Sequence, residues 1–220
     1  MNKLTIITFA NFRSGGKSSA ARLLAERTKS SILNFDTERD AEHYNAVNTI
    51  NIQKNKTITR NEKELILSDE QTEQTISSKS GFLICDLGGY FDPRVNELES
   101  DFYILPSFTD YESIRETLRT AKYILKELPR AKIIFILNFA FLTTSKEREK
   151  AAKDFEEQLE INMLDQYKTI LMPRSNIFAK LVNDLKKEED LINENKTLKS
   201  SYKGVRAFVD ELADTINFKG

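Results

Sequence analysis

The chain has 220 residues, with 33 Lys and Arg against 34 Asp and Glu, a formal net charge of -1 and 40% hydrophobic residues. A single cysteine, Cys85, excludes a disulfide scaffold, and the length is sufficient for a self-supporting core. The longest apolar run, Ile133–Leu142, is interrupted by Asn138 and is too short for a membrane span, and no signal-peptide pattern opens the chain. We therefore expect one soluble, cytoplasmic domain over residues 1–220 that does not bind membranes.

Apolar runs without polar alternation predict the strands of a sheet that is buried on both faces. In chain order, these runs are Leu4–Phe9, Ile32–Phe35, Phe82–Cys85, Asp101–Leu105, Ile133–Leu137 and Lys168–Met172. Helices are predicted between and after them, over Ser18–Lys29, along the stripe Tyr111, Ile114, Leu118, Ala121 and Leu125, over Ser145–Leu164 and over Val205–Phe218. This alternation predicts a three-layer α/β/α fold with a mostly parallel central sheet.

The polar segment Asn45–Ser80 has a different pattern. Its short apolar runs predict strands at Ile50–Ile52, Thr57–Thr59 and Leu65–Leu67, and Asp69–Ser77 predicts a helix. No repeat, proline-rich linker or low-complexity tract indicates a second domain.

Glycine is scarce and is found mainly in pairs. The chain has seven glycines, four of them in Gly15-Gly16 and Gly88-Gly89. Gly16-Lys17-Ser18 opens a helix directly after a strand, which is the context of a phosphate-binding loop. There, backbone N–H groups face the phosphates, the lysine reaches the β and γ oxygens, and the hydroxyl binds Mg²⁺. The alternative is an ordinary strand-to-helix turn, because Gly-Lys-Ser also arises by chance.

Asp86 follows four apolar residues and has the form of a Walker B acid, which holds Mg²⁺ directly or through water. Gly88-Gly89 would let the next loop move close to a γ-phosphate, as a switch does. The alternative is a strand that ends in an Asx-type turn. We expect Cys85 to be a buried small hydrophobe and not a nucleophile. His43, which is the sole histidine, is expected to be a surface residue.

The ordered set of motifs resembles the ParA/MinD group of deviant-Walker P-loop ATPases over almost the whole chain. Phe12–Ser18 occupies the position of the family's phosphate loop, Asp36–Glu38 that of its acidic segment, and Phe82–Gly89 that of Walker B and switch II. Asn138 and Met172–Arg174 match the two elements on the adenine side. The resemblance implies an ATPase that uses ATP and Mg²⁺.

Carried over residue by residue, the resemblance assigns Lys17, Glu38 and Asp86 to catalysis, with Glu38 positioning the attacking water. The implied metal ligands are Ser18, Asp36 and Asp86. The implied nucleotide-binding residues are Arg13, Ser14, Gly15, Gly16, Lys17, Ser18, Ser19, Asn138, Pro173 and Arg174.

Three positions depart from the family's loop. The signature lysine, which reaches across a nucleotide-sandwich dimer, falls on Phe12, and the first two glycines fall on Arg13 and Ser14. Arg13 either supplies the missing cation or is an ordinary surface residue. Since the loop backbone has less freedom without the two glycines, we expect weak or altered hydrolysis. Glu38 is likewise either catalytic or part of a solvated, charged turn.

The resemblance further implies a protein that dimerises on ATP, binds nonspecific DNA and partitions plasmid or chromosomal DNA with a small DNA-binding adaptor. Two basic segments are candidate DNA contacts, and a solvated helix face is the alternative for both. They comprise Arg115, Arg119, Lys122 and Lys126, and Lys196, Lys199, Lys203 and Arg206. The C-terminal helix has acidic residues on its polar side, which anionic lipid would repel, so we expect it to dock on the core.

Two other functions fit the same motifs. One is a nucleotide-binding adaptor or switch with little hydrolysis, and the other is a small-molecule ATP-dependent enzyme that resembles dethiobiotin synthetase. A dehydrogenase is disfavoured because no Gly-x-Gly-x-x-Gly follows the first strand.

Overall fold

Strands and helices alternate along most of the chain. A computed structural model describes residues 3–11, 15–35, 48–52, 56–88, 97–175 and 198–218. In these residues the strands are β1 (Thr5–Phe9), β2 (Ser31–Asn34), β3 (Thr49–Asn51), β4 (Thr57–Arg60), β5 (Glu64–Ser68), β6 (Glu73–Ser77), β7 (Phe82–Asp86), β8 (Phe102–Phe108), β9 (Ile133–Asn138) and β10 (Lys168–Met172). The helices are α1 (Lys17–Thr28), α2 (Tyr111–Glu127), α3 (Ser145–Ile161) and α4 (Leu198–Thr215).

The central sheet has seven strands in the order β10-β9-β8-β1-β7-β2-β3, and its neighbouring strands are parallel. The register aligns the strand ends: Phe9 and Asn34 both stand opposite Asp86, and Asn138 stands opposite Met172. Asp86 and Asn138, the last residues of β7 and β9, therefore lie at one edge of the sheet, which we call the carboxyl edge. The predicted parallel sheet is confirmed.

Helices cover both faces of the sheet and bury its apolar side chains. On one face, α1 and α4 pack over Ile7, Phe9 and Ile84. The predicted docking of the C-terminal helix is confirmed, because its apolar stripe is buried at Val205, Phe208, Val209, Leu212 and Ile216. None of the helices in the described ranges is long and apolar enough to cross a bilayer.

The other face of the sheet is covered by α2, α3 and a second, three-stranded antiparallel sheet with the order β4-β5-β6. The small sheet buries its apolar residues in the same core as Leu4, Leu98 and Tyr103. These buried residues are Ile58, Leu65, Leu67 and Ile76. The three short strands predicted in the polar segment are confirmed as β3, β4 and β5, of which β3 belongs to the central sheet.

The helix predicted over Asp69–Ser77 is wrong, since this segment forms a turn and then strand β6. The Oδ1 atom of Asp69 accepts hydrogen bonds from the backbone N–H groups of Gln71 (2.9 Å) and Thr72 (2.7 Å). Such a side-chain-to-backbone turn competes with the first helical turn. Pairing with β5 then fixes the residues that follow as a strand.

The end predicted for the strand Asp101–Leu105 is also wrong, because β8 continues through Pro106 to Phe108. The carbonyl oxygens of Ile104 and Pro106 face the β1 side, where they accept from the Ala10 N–H and from the Asn11 side chain. A parallel-strand residue directs its N–H and C=O to the same side. Pro106 lies beyond the last residue of β8 that is paired with β1, so its missing N–H costs no ladder hydrogen bond.

Candidate functional site

The helix α1 begins at the carboxyl edge, just after the central strand β1. Its N-cap is Gly16, whose φ of 95° and ψ of 20° lie in the left-handed region that glycine adopts without a Cβ penalty. Lys17 and Ser18 in the first turn are buried, with 6% and 8% of their surface exposed, and Ser19 is half-buried. No acidic residue stands in that turn. Helix N–H groups together with a lysine therefore favour a bound anion at this point.

Gly15 lies against the backbone of β8 with no space for a side chain, and Gly16 has a positive φ and lies against the Asn138 amide. A Cβ at Gly15 would lie 2.1 Å from the Pro106 carbonyl oxygen, and one at Gly16 would lie 2.6 Å from Asn138 Nδ2. The same Asn138 amide donates a hydrogen bond to the Gly15 carbonyl (3.0 Å), and its Oδ1 accepts from the Ala140 N–H (2.9 Å). The loop is thus seated on the ends of β8 and β9.

The two segments predicted to lie on the adenine side both adjoin this loop. Asn138 contacts it directly, and the Met172 sulfur lies 3.6 Å from where a Gly16 Cβ would be. Pro173, which follows Met172, is half-buried beside Gly204 of α4, and Arg174 is exposed. The fold therefore brings Asn138 and Pro173 to the same side of the phosphate loop, while their roles toward a base stay predictions.

Asp86 ends β7, the strand next to β1, and its side chain is 1% exposed. Its carboxylate is therefore at the same edge as Lys17 and Ser18. Cys85, one residue earlier, is fully buried, and this burial raises the pKa of its thiol to about 12. A thiol with that pKa is not a nucleophile at neutral pH, which agrees with the role predicted for Cys85.

Several predicted residues lie outside the described part of the chain, and their assignments stay predictions. They are Phe12, Arg13, Ser14, Asp36, Glu38, His43, Gly89 and Lys196.

The oxygen atoms of Ser18 and Asp86 suit Mg²⁺ that is bound together with phosphate. In the described residues, no group of three or more His, Cys, Asp and Glu side chains is placed to hold a metal ion. Mg²⁺ is commonly held by one or two protein oxygens, with phosphate oxygens and water completing the octahedron. The Asp86 carboxylate and the Ser18 hydroxyl, beside a loop built for anions, fit that pattern.

The structure places two further residues, Asn11 and Thr117, next to this site, and the sequence assigns no role to either. Asn11 Nδ2 donates to the Pro106 carbonyl (2.6 Å) and to Thr117 Oγ1 (2.7 Å), and Lys17 Nζ donates to the Asn11 carbonyl (3.4 Å). A polar residue close after a buried strand was the available signal for Asn11. Its partners on β8 and α2 could not be identified from the sequence, because they are 95 and 106 residues away.

No family model matches the chain, and no curated protein matches it. Solved structures do match its fold. A Borrelia burgdorferi B31 protein described as a plasmid partition protein, bound to AMPPNP, superposes with a TM-score of 0.55 at 14% identity, over 91% of this chain and 98% of that one. A variant of Cyanothece McdA in complex with ATP gives 0.65 at 10% identity, over 100% and 99% of the two chains.

A further match is the MinC:MinD cell division protein complex of Aquifex aeolicus, with a TM-score of 0.58 at 10% identity over 96% of each chain. At such identities the likeness concerns the fold. The fold is that of the ParA/MinD-type P-loop ATPases, and this prediction is confirmed.

Proposed function

We propose that the chain is a ParA-like ATPase, which binds ATP with Mg²⁺, dimerises on ATP and hydrolyses it slowly to position DNA. One observation carries this proposal: Gly15 and Gly16 seat a loop on the carboxyl edge, with Lys17 and Ser18 buried at the helix N-terminus behind it. Backbone N–H groups at a helix N-terminus with a lysine and a hydroxyl beside them match what the phosphates of a nucleoside triphosphate require.

In this proposal, Lys17 stabilises charge on the transferred phosphoryl group, and Ser18, Asp36 and Asp86 hold Mg²⁺. The bound metal ion would neutralise phosphate charge. Glu38 orients the attacking water. Arg13 and Ser14 contribute to the loop, and Asn138, Pro173 and Arg174 line the base side.

The solved structures support nucleotide binding and a partition role. The Borrelia protein carries AMPPNP and the McdA variant carries ATP, and the former is described as a plasmid partition protein. ATP-dependent dimerisation, DNA binding and a small DNA-binding adaptor as partner belong to the proposal. They rest on the resemblance of the motifs.

The first experiment measures nucleotide binding and assembly. We expect Mg²⁺-ATP to bind the wild-type chain and to convert a monomer to a dimer in light scattering. Lys17→Ala should weaken binding by at least about tenfold, because a charge-assisted contact to phosphate is lost. Lys150→Ala removes an exposed lysine from α3 and should leave both measurements unchanged.

A chain that binds no ATP, or a Lys17→Ala variant that binds it as well as the Lys150→Ala control does, would contradict nucleotide use by this loop. A chain that binds ATP but stays monomeric at saturation would contradict the ATP-dependent dimer only.

The stripe of basic residues on α2 is the described candidate for DNA contact. All four side chains are exposed, namely Arg115, Arg119, Lys122 and Lys126. Acidic neighbours offset part of this charge, since Glu116 pairs with Arg115 at 3.2 Å and with Arg119 at 3.6 Å. Lys203 and Arg206, from the second basic segment, are exposed on α4. Such a surface favours weak binding that depends strongly on salt.

The second experiment tests this surface. Replacing both Lys122 and Lys126 by Glu should abolish a DNA mobility shift that the wild-type chain shows in ATP at low salt. Replacing both Lys150 and Lys153 by Glu makes the same change of charge on α3 and should retain the shift. If both double variants lose DNA equally, net charge and not the α2 surface determines binding.

The nucleotide-binding adaptor with little hydrolysis is the second candidate, and Phe12 at the position of the signature lysine favours it. The two candidates differ in turnover. Tight binding of Mg²⁺-ATP without release of phosphate, whether or not DNA is present, would identify the adaptor.

A further inference from the structure

Asn11 links the lysine of the phosphate loop to strand β8 and helix α2 through hydrogen bonds. It is 4% exposed and lies two residues after the end of β1. Its backbone carbonyl accepts a hydrogen bond from Lys17 Nζ at 3.4 Å, while its side chain reaches β8 and α2. Asn11 is therefore in contact with the lysine of the loop and with two other elements.

The orientation of the Asn11 amide follows from its partners. The Pro106 carbonyl can only accept, so the group 2.6 Å from it must be the NH₂ of Asn11. The second amide hydrogen goes to Thr117 Oγ1 at 2.7 Å, and the Thr117 hydroxyl in turn donates to the Ser113 carbonyl at 2.7 Å. Every donor in this chain of hydrogen bonds has one acceptor, which fixes Asn11 in a single position.

The Asn11 carbonyl is consequently a rigid acceptor for a flexible side chain. Lysine has four rotatable bonds, and a buried ammonium requires hydrogen-bond acceptors. Oδ1 of Asn11 is also buried and receives no hydrogen bond from any described residue. In a loop where Arg13 and Ser14 replace two glycines, an anchor outside the loop is a means of placing Lys17.

We propose that Asn11 is a positioning residue for the nucleotide site, which places the Lys17 ammonium at the phosphate loop and ties the loop to α2 through Thr117. This inference rests on the proposed function. It adds that the Asn11–Thr117 hydrogen bond contributes to nucleotide affinity, although neither side chain is assigned to the bound nucleotide.

The test uses a matched pair of threonines on α2. Thr117 and Thr120 are both buried, and both hydroxyls donate to the carbonyl four residues earlier, at 2.7 Å and 2.8 Å, but only Thr117 accepts from Asn11. Thr117→Val and Thr120→Val therefore each remove one intrahelical hydrogen bond of the same kind. The measurements are the dissociation constant of a fluorescent ATP analogue with Mg²⁺ and the melting temperature without nucleotide.

We expect Thr117→Val to raise the dissociation constant about three- to tenfold, the range that one lost hydrogen bond gives. Thr117→Ser, which keeps the hydroxyl, should restore wild-type binding, and Thr120→Val should bind as the wild type does. Asn11→Ala should weaken binding at least as much as Thr117→Val, and combining the two should add little, because both remove the same link.

Equal nucleotide affinities for Thr117→Val and Thr120→Val, with only their melting temperatures lowered, would overturn the inference and leave the proposed function intact. Additive effects of Asn11→Ala and Thr117→Val would also overturn it. A wild-type chain that binds no nucleotide would instead overturn the proposed function, and this inference with it.

Discussion

Glycine at position 15 is required by its neighbours in space, and glycine at position 16 is favoured by its positive φ. At Gly15 the obstacle is the backbone of β8, whose carbonyl carbon and oxygen at Pro106 would lie 2.5 and 2.1 Å from a Cβ. Backbone within a parallel sheet cannot move aside without breaking its ladder. Gly204 in α4 is the opposite case, because a Cβ there would meet only the Pro173 side chain at 3.8 Å.

Substitution of Gly15 and of Gly204 by alanine should therefore have opposite effects on stability. Gly15→Ala should lower the free energy of unfolding by about 1–3 kcal/mol, as overpacking does, and should weaken nucleotide binding. Gly204→Ala should raise the free energy of unfolding by roughly 0.5–1 kcal/mol, since it stabilises a helix interior at a site with space. Urea denaturation of both variants measures this, and a Gly15→Ala chain as stable as the wild type would contradict the contact.

Among the elements, the turn between β5 and β6 shows how one carboxylate redirects a segment. Lys56 Nζ lies 2.5 Å from Asp69 Oδ2, and the backbone N–H groups of Gln71 and Thr72 donate to Asp69 Oδ1. The Lys56 ammonium, followed by these N–H groups, holds the pKa of Asp69 well below its usual range. The ionised form of Asp69 is therefore the form that stabilises the turn.

This lowered pKa predicts a dependence of stability on acid. A carboxyl group with a lower pKa in the folded than in the unfolded chain contributes its full stability above the unfolded pKa of about 3.9, and loses it as the pH falls further. Asp69→Asn keeps an acceptor for the turn but loses the charge. The wild type should melt above Asp69→Asn at pH 7, and the difference should shrink as the pH falls from about 4 toward 2.

Thermal unfolding followed by circular dichroism across this range measures the effect. Asp154→Asn, an exposed change on α3, reports the generic consequence of removing one carboxylate. A difference between the wild type and Asp69→Asn that stays constant down to pH 2 would show that Asp69 does not act through its charge.

At the scale of the whole molecule, Arg60 joins the small sheet to the central one. Its Nη2 donates to the Leu4 carbonyl (2.9 Å) and to Asp101 Oδ2 (2.6 Å), and its Nη1 donates to the Glu99 carbonyl. Asp101 Oδ2 also accepts from the Ile6 N–H at 2.8 Å. These contacts lie at the start of β1 and just before β8, at the edge opposite the phosphate loop.

Removing Arg60 should weaken the molecule without changing its site. We expect Arg60→Ala to lower the free energy of unfolding by about 1–3 kcal/mol, because partly buried acceptors lose their donors. Arg60→Lys should recover only part of this, since one ammonium cannot reproduce the planar fork of the guanidinium. Urea denaturation and ATP titration together check this, and Arg115→Ala on the exposed face of α2 is the control. A large change in ATP affinity for Arg60→Ala would contradict the separation of the two edges.

The amino-acid sequence by itself determined the strands of the central sheet, the four described helices, the glycine pair before α1 and the place of Asp86 at the end of its strand. These features depend on residues that are neighbours along the chain: an apolar run, a helical stripe, or Gly16-Lys17-Ser18 after a strand. Local periodicity therefore predicts them. The roles of Arg13, Asp36 and Glu38 stay predictions, because these residues lie outside the described part of the chain.

Only the tertiary structure decided the features whose partners are distant in sequence. The segment Asp69–Ser77 became a strand because β5 pairs with it, and Pro106 was tolerated inside β8 because β1 no longer pairs there. Asn11 acquired a role because folding brings Pro106 and Thr117 to its amide from 95 and 106 residues away. A hydrogen bond between such residues exists only once the sheet and its covering helices are assembled, so no pattern of neighbouring residues records it.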